Sequence, residues 1–177
     1  MGYDAALVEQ VERRSGLKGR PPLFIYAGPP RSSATSTAAT PTSTVAYPDG
    51  DRVAEGYFAV CCNTNPYTAV GNRPFDIAPD ASLDRGLAMV TVRSMRATRF
   101  LRIMADALAG QGKLQRNRWA HYRHDVDELV VEGIDGRPFP YQIDGDFLGE
   151  IDRIDLRHVP DIIDLVLPVG FHDAPVE

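Results

Sequence analysis

Cysteine is almost missing from this chain. There are two in 177 residues, and they are neighbours, Cys61 and Cys62, inside an apolar run. Vicinal cysteines cannot reach ordinary disulfide geometry without strain, so a reduced, buried pair is expected rather than a disulfide framework. Four histidines (His121, His124, His158 and His172) share no zinc-like spacing with them. No stretch approaches the roughly 18 consecutive apolar residues of a transmembrane helix. The start, Met1-Gly2-Tyr3-Asp4-Ala5-Ala6, lacks the basic end and apolar run of a signal peptide. It also lacks the hydroxyl residue at position 6 that follows a myristoylated glycine. No P-loop or other glycine-rich phosphate cradle occurs. A soluble, cytoplasmic protein is expected.

What is present fits one folded domain over residues 1–177. Apolar residues make up 44% and charged residues 24%, near globular averages. Fifteen glycines and 14 prolines favour many turns over a helical bundle. The net charge is −5, unevenly spread. Residues 1–120 hold 15 basic against 10 acidic side chains, and residues 121–177 hold 4 against 14. Within the first part, Arg93, Arg96, Arg99, Arg102, Lys113, Arg116 and Arg118 face only Asp106. Such a run attracts an anionic membrane, at about 1 kcal/mol per basic residue close to the surface. The commoner arrangement is a solvated helix face packed against the acidic C-terminal part.

Periodicity predicts a helix over Asp4–Arg14, a short apolar element at Leu23–Tyr26 and a flexible Ser/Thr/Pro-rich loop at 29–44. Strands are predicted at Tyr57–Cys62 and Leu87–Val92, with loops at Asn63–Tyr67 and Gly71–Pro74. Phe100, Ile103, Met104, Ala107 and Leu108 keep helical spacing, ended by Gly110 and Gly112. Further strands are expected at Glu128–Glu132, Tyr141–Asp144, Ile151–Arg157 and Ile162–Leu167. Asp135-Gly136 and Asp144-Gly145 fall at turns between them. The expected fold is mainly β, an antiparallel β-sandwich with two or three helices.

The segment Pro140–Glu150 is the best candidate for chemistry. Asp144 and Asp146 stand two apart with only Gly145 between, and on extended backbone such residues share a side. One carboxylate of such a pair can accept a proton from an attacking hydroxyl while the other supports a second ligand. A plain hairpin turn is the competing reading, because Asp-Gly is a strong turn signal.

Tyr141-Gln142-Ile143-Asp144-Gly145-Asp146, then Leu148-Gly149, then Pro160 through Pro168, resembles the C-terminal signature of the diacylglycerol kinase/sphingosine kinase family. Gly2-Tyr3-Asp4-Ala5, Asn63 through Gly71 and Pro79 through Leu87 resemble three further blocks of that family in the same order. The resemblance implies a lipid kinase that uses ATP and Mg2+, with a β-sandwich substrate domain like that of diacylglycerol and NAD kinases. By the same resemblance Asp144 is the general base, and Asp146 supports the nucleotide or metal end in place of the family's Glu. Gln142, Gly145 and Asn63 line the cleft, and Asp84 marks a magnesium position. Arg85 and Ala88 replace acidic residues there.

The family's Gly-Gly-Asp-Gly-Thr nucleotide loop is missing. The reading therefore expects a C-terminal half without its N-terminal ATP-binding domain, inactive by itself. Its partners would be a membrane lipid met at the inner membrane face and a nucleotide-binding domain or a second copy of the chain, with no nucleic acid. The alternative is a non-catalytic membrane- or protein-interaction module using residues 93–118.

Overall fold

Leu87-Ala-Met-Val-Thr-Val92 is apolar or β-branched at every position, the pattern of a strand covered on both faces. The computed structural model describes residues 40–70 and 72–162, and there this run is the middle strand of the central sheet. In chain order the strands are β1 (Ser43–Ala46), β2 (Arg52–Gly56), β3 (Phe58–Cys62), β4 (Thr68–Val70), β5 (Arg73–Phe75), β6 (Leu87–Val92), β7 (Ala120–Val126), β8 (Glu128–Gly133), β9 (Phe139–Ile143), β10 (Asp146–Ile151) and β11 (Arg153–Arg157). Helix α1 (Ala97–Ala109) lies between β6 and β7. All strand pairs are antiparallel. One sheet runs β3-β6-β7, another β11-β8-β1-β2, and β4-β5 and β9-β10 are separate hairpins.

Alternation along the strands divides the interior into two cores. Val60, Cys62, Ala88, Val90 and Val92 point to one face of the three-stranded sheet and meet Ile103 and Ala107 of α1. Ala59 and Met89 point to the other face and meet Val45, Val53, Leu129, Val131 and Phe139. The three-stranded sheet is thus a middle layer between the helix and the four-stranded sheet, a sandwich-like arrangement.

The expectations for β3, β6, β8, β9 and α1 agree with these elements to within a few residues. Others need correction. Ser43 and Thr44, placed in the flexible loop at 29–44, are buried in β1. Small side chains suit this strand because it pairs on both sides, with Ser43 opposite Gly56 and Gly133. A Cβ on Gly56 would lie 3.1 Å from the Ser43 carbonyl oxygen. Residues 29–39 lie outside the described residues, as do the expected helix at Asp4–Arg14, the element at Leu23–Tyr26 and positions 163–167. The strand expected at Ile151–Arg157 is broken at Asp152, with Ile151 closing β10 and Arg153 opening β11. Of the loop expected at Gly71–Pro74, Arg73 and Pro74 lie instead in β5, paired with Val70 and Ala69 of β4. Among the described residues there is one α-helix, plus 3-10 turns at Leu114–Arg116 and Ile134–Gly136. No helix among the described residues is long and apolar enough to cross a membrane.

Candidate functional site

The hairpin of β9 and β10 carries four of the candidate residues. Its base is fixed by Phe139, fully buried in the second core, with Ile151 packed against the same cluster. Asp146 pairs with Ile143, leaving Asp144-Gly145 as a two-residue loop. Both loop residues have positive φ, +49° and +88°, the mark of a type I′ turn. That geometry explains the Asp-Gly dipeptide, since Asp tolerates the left-handed region and Gly enters it without cost. Asp144 and Asp146 are both exposed. Strand alternation does not govern their relation, because Asp144 lies in the left-handed turn rather than on extended backbone. A Cβ on Gly145 would meet nothing within 4 Å, so its φ, and not a close neighbour, calls for glycine. Gln142 stands opposite Phe147 in the ladder.

The remaining candidates lie on other segments. Asn63 is exposed just after β3, and Asp84 is exposed in the loop that leads into β6. That loop is tied to β7 at two points. The Tyr122 hydroxyl donates to Asp80 Oδ2 at 2.9 Å, and the Gly86 N–H donates to Asp125 Oδ1 at 3.0 Å. Burial, and then the bond to Asp80, push the Tyr122 phenol upward. The Asp84 N–H donates to Ser82 Oγ at 3.4 Å. Among the described residues no group of three or more His, Cys, Asp or Glu side chains could hold a metal ion, at Asp84 or elsewhere. Cys61 and Cys62 are free thiols, pushed up by burial to about 11 and about 12, so they are poor nucleophiles.

The most developed polar cluster was not anticipated. Arg123 of β7 donates to Asp49 at 2.6 Å and to Asp51 at 2.9 Å, in the turn between β1 and β2. His121 Nε2 lies 3.1 Å from the same Asp51 carboxylate. The Arg123 guanidinium covers the Tyr47 ring at 4.9 Å. A hydrogen bond from Arg123, then one from the Asp51 N–H, hold Asp49 below the usual carboxylate range. Burial raises the Tyr47 phenol. These charges are mutually satisfied, so the cluster acts as a staple between the two large sheets. The sequence carries little trace of it, because Arg123 is 72 and 74 residues from its partners.

An open groove of about 430 Å3 runs over the ends of β1, β8 and β11, where Tyr47, Leu129 and Leu156 meet Glu128, Asp155 and Arg157. None of the candidate residues lines it. No family model and no curated protein matches the chain.

Proposed function

We propose that this chain is the substrate-side half of a diacylglycerol-kinase-like lipid kinase, with Asp144 as the general base. The observation that carries the reading is the two-residue hairpin, which holds a carboxylate at an exposed tip inside the Tyr-Gln-Ile-Asp-Gly-Asp run. A rigid turn on a buried Phe139 anchor gives such a base a defined position while leaving it open to a partner surface.

In the proposed step, the Asp144 carboxylate takes the proton of a lipid hydroxyl as that oxygen attacks the terminal phosphorus of ATP. The bond from that phosphorus to the bridging β-phosphate oxygen breaks, and ADP leaves. Asp146, shorter than the family's Glu, steadies the nucleotide side. A positioned base supplies roughly 10²–10⁴-fold of rate. The rest of phosphoryl transfer is positioning and charge neutralisation, and these residues do not provide it. With neither a phosphate cradle nor a metal cluster among the described residues, ATP and Mg2+ are assigned to a separate nucleotide-binding domain.

The test is reconstitution. Diacylglycerol vesicles, ATP and Mg2+ are given to the chain alone and to the chain mixed with the nucleotide-binding domain of a diacylglycerol kinase. Phosphatidic acid should form only in the mixture. Asp144→Asn should lower its formation by about 100-fold or more without loss of stability, because Asn-Gly suits the same turn. Product from the Asp144→Asn mixture at the original rate would remove Asp144 from the mechanism, and none from the original mixture would remove the kinase reading.

A further inference from the structure

The four-stranded sheet ends in an edge that nothing pairs with among the described residues. In the order β11-β8-β1-β2, β11 is outermost and meets β8 along Arg153–Arg157. The Gly133 N–H donates to the Asp152 carbonyl at 2.8 Å, and the His158 N–H donates to the Asp127 carbonyl at 2.7 Å. Antiparallel bonding recurs at every second residue, so Ile154 and Leu156 also turn their backbone groups to β8. The N–H and C=O groups of Arg153, Asp155 and Arg157 therefore point away from the sheet. Such a row is a template for another strand.

The side chains select which strand it fits. Arg153, Asp155 and Arg157 alternate in sign and are all exposed. A twofold axis beside Leu156 sets Asp155 of each copy opposite Arg157 of the other, so both contacts are attractive. Arg157 makes no ion pair among the described residues, whereas Arg153 is held by Glu132 and Asp155. Asp155 accepts two bonds, both from Arg153, and a carboxylate has acceptor sites left for a second guanidinium. By contrast β10 carries Asp146 and Glu150 and no base, so two copies of it would repel. Apolar surface adjoins β11 as well. Leu156 lines the open groove with Tyr47 and Leu129, and Val159 and Ile162, just beyond the strand, are 52% and 73% exposed. We infer that β11 pairs antiparallel with β11 of a second copy of this chain, joining the two four-stranded sheets into one. The pairing is isologous and closes at two chains. It goes beyond the proposed kinase step and does not rest on it, since the β9–β10 hairpin takes no part.

Analytical ultracentrifugation of the full chain over a concentration series tests the pairing with no activity readout, and a monomer–dimer equilibrium is expected. Asp155→Pro removes an N–H that faces away from β8, which an edge strand tolerates, and should leave a folded monomer. Arg157→Glu sets Glu against Asp155 of the other copy and should raise the dissociation constant by about tenfold or more. The exchange Asp155→Arg/Arg157→Glu restores opposite charges across the axis and should return the constant to within about threefold of the original. That rescue keeps the test decisive even where Asp155→Pro weakens the fold. A monomer at every concentration, a dimer indifferent to Asp155→Pro and Arg157→Glu, or an exchange variant as weak as Arg157→Glu would each overturn the proposal. So would amides of Asp155 and Arg157 protected from hydrogen exchange in the monomer, which would assign the edge to another part of the same chain.

Discussion

Gly86 is required by its surroundings more than by its backbone angle. A Cβ there would lie 2.8 Å from the Val126 nitrogen and 2.9 Å from the Val126 oxygen, which are backbone atoms that cannot swing aside. Its own N–H is held by Asp125, so the loop before β6 meets β7 at a fixed distance. Gly86→Ala is expected to destabilise the fold by about 1–3 kcal/mol, the usual range for forced overpacking, read as a lower urea midpoint. Gly145 differs, because its neighbourhood is open and only the left-handed turn demands it. The two glycines look alike in sequence, and only the second carries a local sign, the preceding Asp, of what it does.

Among the elements, the β9–β10 hairpin belongs to neither large sheet and depends on side-chain packing for its position. Phe139, fully buried, and Ile151 pack it against the second core. Phe139→Ala should cost about 3–5 kcal/mol. Hydrogen exchange should show β9 and β10 losing protection before β6, which is bonded on both sides. β9, its Asp-Gly turn and β6 are legible in the sequence because their signals are local, a turn dipeptide and an unbroken apolar run. Most of β10 is not, the next strand being expected only from Ile151. Nor is β7, since Ala-His-Tyr-Arg-His-Asp-Val offers no apolar alternation. Only its end residues Ala120 and Val126 are buried, one in each core, and between them its side chains bond to Asp51, Asp49 and Asp80, far off in the chain. The short edge strand β2 escaped for a related reason, with only Val53 and Gly56 buried. The candidate carboxylates were found as a motif, whereas the Arg123 staple depends on the pairing of distant segments.

For the molecule as a whole, acid should act through the arginine–carboxylate contacts. Asp49 is lowered by Arg123, and Asp155 by its hydrogen bond from Arg153. A carboxylate whose folded pKa lies below its unfolded value stabilises the fold above that value, and the gain drains away as pH falls through it. Stability should therefore decline as pH drops below the ordinary aspartate value of 3.8. Urea midpoints measured between about pH 6 and pH 3 should show this, and Arg123→Ala/Arg153→Ala should have a flatter profile. The middle sheet carries a last consequence, because Cys61 and Cys62 serve opposite cores. Deleting one residue from β3 would exchange the tenants of the two interiors along the rest of that strand. Length variation among natural variants should consequently gather in the stretch from Asn63 to Asn72 and spare the strands on either side.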